Sequence, residues 1–345
     1  IFADNAVKNA LGKRTTKDLF TDCLHKYVIT DAIRDKNVLK FSIEYISTFK
    51  EREGVRDIKV EAIDTFEVME APQRLNKVAD YIIDNHGRKT HAKKFTAIFC
   101  ISNVKTLIKY YDLFQAKKEE GLHDLKIATI FSYQANEEDE DANGYIPDED
   151  YLDFAAEGET VYKTKHTREK LDGFMEDYND MFTTNFSTNE FYSYYKDIGK
   201  RVKNREVDIL LVVNMFLTGF DSKLLNTIYV DKKLKYHGLI QAYSRTNRIL
   251  DQLKSQGNVV CFQNLKEATD EAITLFSNKE AIEEIIIQPY EDYIEIFNSA
   301  VEKVQTLAPT FDAVNEFESE IEQMEFVKAF RELMRVKNVL TTFTE

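Results

Sequence analysis

Apolar residues in this chain gather into short runs separated by longer stretches with helical periodicity. FTAIFCI at 95–101, LKIATIF at 125–131, DILLVV at 208–213, NTIYVD at 226–231 and NVVCF at 258–262 are rich in Ile, Val and Phe. Runs this short and this apolar predict strands covered on both faces, as in a parallel sheet. VLKFSIEYI at 38–46 alternates apolar and polar positions and predicts one more strand. An amphipathic stretch from Lys17 to Ile33 precedes it. PQRLNKVADYIIDN predicts a helix, with Pro72 at its start and Gly87 past its end. NVKTLIKYYDLFQAKK follows the first short run. The region from Thr167 to Asn204 repeats Phe191, Tyr194 or Tyr195, Ile198 and Val202 at helical spacing. Strands alternating with helices predict a three-layer α/β fold. After about Leu265 the pattern is helical only, in AIEEIIIQPYEDYIEIFNSAVEKV and FESEIEQMEFVKAFRELMRVKNVL, which predicts a separate helical domain.

The stretch from Asp208 to Arg248 concentrates the chemistry. An apolar strand leads into Thr218-Gly219-Phe220-Asp221, placed at the carboxyl end of the strand, where α/β sheets position ligand loops. Gly219 permits a positive φ or a close backbone approach. A second strand and a predicted helix follow, the helix carrying Gln241, Arg245 and Arg248. Residues at i and i+3 share a helical face, so both guanidinium groups can address one polyanion. Guanidinium pairs with phosphate oxygens in bidentate fashion, which makes a triphosphate the natural ligand for such a fork.

MFLTGFD at 215–221 and LIQAYSRTNRI at 239–249 resemble the restriction (motor) subunit of type I restriction-modification enzymes, and more broadly the second lobe of superfamily 2 helicases and translocases. HKYVITDAIRDKNVLKF at 25–41 resembles the segment after motif III of that subunit. AIFCISN at 97–103 resembles motif IV, and FVKAFRELMRVKNVL at 326–340 resembles the helical domain behind the motor; the match is weakest between about 132 and 186. The resemblance implies a RecA-like parallel sheet with helices on both faces, followed by an all-helical domain. It implies four regions: residues 1–45 as the tail of a first motor lobe, 46–70 as a linker, 71–265 as the second lobe with an acidic insertion at about 136–160, and 266–345 as the start of the helical domain. ATP with Mg2+ would be held mainly by the first lobe. Arg245 and Arg248 would reach it in trans as arginine fingers, Arg248 at the γ-phosphate, with Gln241, Gly219 and Asp221 also on the nucleotide side. Thr218, Ser102 and Asn103 would contact duplex DNA; equally, Ser102 or Asn103 caps the helix that follows. The implied partners are double-stranded DNA, the specificity and methylation subunits, and the first lobe and nuclease domain of the same chain. One departure is Ser222-Lys223, where many members of the family have Ala-Pro.

Other features narrow this picture. A phosphate cradle of the G-x-x-x-x-G-K-[ST] type is missing: Gly12-Lys13 and Gly199-Lys200 lack both the upstream Gly and the following Ser or Thr. Asp270-Glu271-Ala272 imitates a metal-binding box but follows a polar stretch and not an apolar strand. These residues alone are therefore expected neither to hydrolyse ATP nor to bind a metal. His237 reads as polar surface, and Tyr192, Tyr194 and Tyr195 as core. Cys23, Cys100 and Cys261 are scattered and odd in number, which indicates neither a disulfide framework nor a zinc site. No apolar run approaches the ~18 residues of a membrane span, and the expected compartment is the cytoplasm. The chain opens at Ile1 and reads as a piece of a longer protein. Its net charge of −14 is concentrated, since residues 136–160 hold eleven acids and no base, whereas 232–250 hold five bases and no acid. A local phosphate-facing surface is compatible with that asymmetry. Two alternatives remain at this point: a superfamily 2 helicase or remodeller without nuclease, and a non-catalytic RecA-like docking module for DNA or protein.

Overall fold

Six short strands form one sheet in the order β1-β6-β5-β2-β4-β3, and every pairing is parallel. The structure, a computed structural model, describes residues 24–25, 27–46, 69–131, 159–277, 282–317 and 319–344. Nearly all of the expected linker, most of the acidic insertion and the first half of the amphipathic stretch lie outside these residues. In chain order the elements are α1 (Ile29–Arg34), β1 (Phe41–Tyr45), α2 (Pro72–Lys89), β2 (Thr96–Ile101), α3 (Val104–Glu119) and β3 (Ile127–Ile130). They continue with α4 (Glu159–Phe182), α5 (Phe191–Lys203), β4 (Ile209–Val212), β5 (Leu225–Asp231), α6 (Tyr236–Tyr243) and β6 (Gly257–Cys261). Four helices close the series: α7 (Lys266–Phe276), α8 (Ile282–Ile285), α9 (Tyr290–Leu307) and α10 (Glu320–Leu340).

Every residue of β2 to β6 is buried, as their unbroken apolar runs require. Alternation along a strand assigns the helices to faces. From β1, Phe41 packs edge-on against Tyr243 of α6, while Glu44 on the opposite face pairs with Lys89 of α2. Phe99 of β2 packs against Tyr110 and Phe114 of α3 and shares that face with Tyr229 and Phe262. Helices therefore cover both faces of a RecA-like α/β sheet.

Three boundaries differ from the sequence pattern. β1, expected in the tail of a preceding lobe, is the edge strand of this same sheet, hydrogen-bonded along its length to β6. Gly87 lies inside α2, which runs on to Lys89; the chain then turns through His91, Ala92 and Lys93, all with left-handed φ. Helix α7 places Ala272 and Ile273 in the main core, so the sheet layer continues past 265. Ile286 pairs with Phe41, and beyond Pro289 α9 and α10 pack on each other, with Thr342 just past α10 tied back to Lys89 and Gln256.

Candidate functional site

Helix α6 ends at Tyr243, so Gln241 lies in it and neither arginine does. This corrects the expectation of one helical face shared by Gln241, Arg245 and Arg248. The Thr246 hydroxyl donates to the Tyr243 carbonyl at 2.8 Å, taking an acceptor that another helical turn would need. The next residues are drawn into strand-like pairing. Leu39 N–H donates to the Asn247 carbonyl at 2.8 Å, the Asn247 side chain donates back to Leu39 at 3.3 Å, and Arg248 bridges Val38. Gly257 makes room for this segment, because a Cβ there would lie 2.2 Å from Thr246 Oγ1.

The arginines converge all the same, by a tertiary route. Arg248 Nε lies 3.0 Å from Asp221 Oδ1. Arg245 donates from Nη1 to the Phe220 carbonyl at 2.5 Å and from Nε to the Gln241 carbonyl at 3.1 Å. Burial lowers the Arg245 pKa, reinforced by Arg248 and opposed by Asp221. The Arg248–Asp221 pair is about half exposed on both sides, at 47% and 61%. Exposed ion pairs contribute only ~0–1 kcal/mol, so exchanging the carboxylate for a phosphate would cost little.

The segment that presents Asp221 is shaped from below. Gly219 has φ +71°, and nothing lies within 4 Å of a Cβ built there, so conformation and not crowding selects glycine. Phe216 also has a left-handed φ of 66°. Its ring stacks on Tyr195 at 4.7 Å and meets Phe220 edge-on at 4.7 Å, and a Cβ added at Gly199 of α5 would lie 3.2 Å from it. Gly199 thus leaves room for this ring.

The location departs from expectation too. Lys232, just past β5, donates to the Val213 carbonyl at 3.2 Å, at the carboxyl-terminal edge of the sheet. The Leu224 carbonyl accepts from the N–H of Thr96, the first residue of β2, at 2.9 Å. Residues 213–224 therefore cross the sheet, with half-buried Thr218 on the way, and Asp221 meets the arginines toward the amino-terminal edge. Ser102 and Asn103 stand at the opposite edge, a strand length of roughly 20 Å away. Asn103 caps α3, its Oδ1 accepting from Thr106 N–H at 2.8 Å, and Ser102 Oγ donates to the Asp231 carbonyl at 2.7 Å.

Three buried charged residues, Arg74, Asp231 and Lys254, carry no signal in the sequence pattern. Arg74 grips Asp231 with Nη1 at 2.9 Å and Nη2 at 2.5 Å, both side chains 2% exposed. Tyr110 and Gln263 add donors to the same carboxylate at 2.7 and 3.1 Å. Near the arginines, Lys254 is 1% exposed and donates to the carbonyls of Lys223 at 2.7 Å and Leu225 at 2.8 Å. Burial pulls its ammonium down to about 7, against the pull of Asp251 and Asp221. None could be found locally, because the partners are far apart in sequence and, for Lys254, are backbone atoms.

The chain thus combines a six-stranded parallel α/β sheet with a Gly-Phe-Asp segment that meets two arginines. Residues 93–264 match the family described as type I restriction enzyme subunit R domain 3, and residues 285–345 match the type I restriction and modification enzyme subunit R C terminal. The chain is 43% identical over 338 residues to the type I restriction enzyme SauCOLORF180P endonuclease subunit of Staphylococcus aureus strain COL, covering 96% of this chain and 34% of the relative. The SsaAORF53P endonuclease subunit of Staphylococcus saprophyticus is 41% identical over the same shares. A fragment structure of a putative HsdR subunit from Vibrio vulnificus YJ016 aligns with TM-score 0.42 and 12% identity, over 75% of this chain and 38% of that one, a likeness too slight to add to the argument. The chain belongs to the family of type I restriction enzyme R subunits. It spans about a third of the length of the curated relatives it matches.

Proposed function

We propose that these residues form the second lobe of an ATP-dependent motor that translocates double-stranded DNA, within an R subunit that cleaves unmodified foreign DNA. The observation that carries this reading is the convergence of Arg248 and Arg245 on the Phe220–Asp221 segment. One guanidinium pairs with the Asp221 carboxylate and a second is held beside it on the Phe220 carbonyl, so two positive charges stand against one negative, an excess suited to a triphosphate. ATP with Mg2+, held mainly by the first lobe of the same chain, supplies the phosphoryl group whose transfer drives movement. Arg248, tethered only through an exposed pair, exchanges Asp221 for phosphate oxygens and stabilises charge that develops during transfer. Arg245 is anchored to backbone carbonyls; it holds the segment in place and adds to the positive field. Ser102, Asn103 and Thr218 contact the DNA backbone from the carboxyl-terminal side. The specificity and methylation subunits and the nuclease domain complete the assembly.

The test is Arg248→Ala and Arg245→Ala in the intact subunit, with ATP turnover, nucleotide affinity and DNA binding measured separately. If the side chains act in the transition state, kcat falls by ~10³-fold or more for Arg248→Ala, with nucleotide affinity changed far less. Arg248→Lys rescues poorly, since a point charge cannot reproduce the fork. Turnover within about threefold of wild type, together with collapsed DNA binding, would make this segment a DNA-contacting surface instead.

A further inference from the structure

We propose that Lys254 is a positioning residue for the arginine site, holding the Asp221 segment in the register that presents Asp221 to Arg248. The inference rests on the reading of Arg248 given above and extends it to a residue outside the recognised motifs. Lys254 sits in the loop between the arginine segment and β6. Its Nζ donates to the carbonyl of Lys223, two residues past Asp221, and to that of Leu225, the first residue of β5. With Arg245 on the Phe220 carbonyl, the backbone on either side of Asp221 is tied down by a cation. Asp221 itself is exposed and could not keep its place through its own packing.

Lys254 is in turn presented by its loop. The Asp251 carboxylate accepts from the N–H of Leu253 at 3.0 Å and of Lys254 at 3.1 Å, forming a turn that directs the lysine inward. Helix α10 grips the same loop from outside, where the Asn338 side chain donates to the Gln252 carbonyl at 3.1 Å. A lysine this deeply buried is costly to keep unless its donors are used. Its two backbone acceptors lie at the end of the segment that carries Asp221 and at the start of β5.

The experiment uses the intact subunit with ATP and duplex DNA. Lys254→Met keeps the length of the side chain and removes the donors. It should lower kcat for ATP by roughly ten- to a hundredfold, the range expected when a reacting geometry is misplaced by about an ångström. KM and DNA binding should stay within about twofold. Asp251→Ala, an exposed position that leaves the core intact, should act in the same direction and less strongly. The decisive measurement is the double variant Lys254→Met with Arg248→Ala. A residue that works through Arg248 has nothing left to position once that side chain is gone, so the double variant should turn over ATP no more slowly than Arg248→Ala alone. Independent, multiplicative losses would overturn the inference, as would Lys254→Met and Asp251→Ala both retaining wild-type kcat while Arg248→Ala is inactive. If Arg248→Ala itself keeps full turnover, the arginine reading fails and this inference falls with it.

Discussion

Removing Asp231 should destabilise this lobe about as much as truncating a large buried apolar side chain. Asp231→Ala leaves the Arg74 guanidinium buried at 2% exposure with neither of its carboxylate contacts. Breaking one side of such a buried pair costs ~3–5 kcal/mol, because the remaining charge has no water to return to. The Tyr110 hydroxyl and the Gln263 amide lose an acceptor as well, while Arg74 keeps the carbonyls of Met69 at 3.0 Å and Phe262 at 2.9 Å, so the loss should fall within that range. For a lobe of roughly 200 residues, each kcal/mol moves Tm by about 2–4 °C, so the expected fall is roughly 6–20 °C. The chain has no tryptophan, so thermal unfolding is best followed by circular dichroism. Arg74→Met combined with Asp231→Leu removes both charges and should cost much less than the two single changes together, since no uncompensated ion remains. A fall of less than about 3 °C for Asp231→Ala, or strict additivity in the double variant, would refute the account.

Two further outcomes follow from close contacts and burial. Gly257→Ala forces a methyl into Thr246, 2.2 Å from its hydroxyl, and should cost ~1–3 kcal/mol while displacing the Arg245–Arg248 segment; Tm and ATP turnover of the intact subunit should fall together, and an unaffected turnover would show that the segment has another anchor. His86 is fully buried, its Nε2 has no partner, and burial, aided by Lys93, pulls its pKa down to about 3. The unfolded chain, with an ordinary His pKa near 6.5, binds the proton first, so this stability term is complete above about pH 6.5 and declines toward pH 3 by up to ~1.4 kcal/mol per unit. His86→Leu should flatten the dependence of urea stability on pH between 6 and 4, and an unchanged slope would remove His86 as the cause.

Much of the sheet was legible because its strands are buried on both faces and so leave nearly uninterrupted apolar runs. The end of α6 was not. Ser244 to Arg248 contain no helix breaker, and the helix stops because Val38 and Leu39, over 200 positions away, claim the backbone of 247–248. The site followed the same pattern. The residue types at Gly219, Asp221, Arg245 and Arg248 pointed to one cluster and the structure brings them together, yet the edge of the sheet on which they meet depends on how residues 213–224 cross it. The positions of Ser102 and Asn103 suit a helix cap or a phosphate ligand equally. Asn103 does cap, and Ser102 is tied to Asp231. Asp231 and Lys254 carry no local signal, since a charged residue ending an apolar strand or sitting in a polar loop reads as surface until its partners are known.

The position of β1 at the sheet edge bears on how the chain is made. Its ladder partner β6 begins at Gly257, about 200 residues after β1 ends at Tyr45. At synthesis rates of ~5–20 residues per second, β1 would wait roughly 10–40 s with its hydrogen-bonding groups unmatched. Strands β2 to β5 can assemble in that interval, since each finds a neighbour among themselves. β1 is also the one strand that alternates, with Ser42 and Glu44 between its apolar residues, and so offers less sticky surface while it waits. The arginine segment, joined to Val38 and Leu39 just ahead of β1, therefore reaches its final geometry only when β1 closes onto β6.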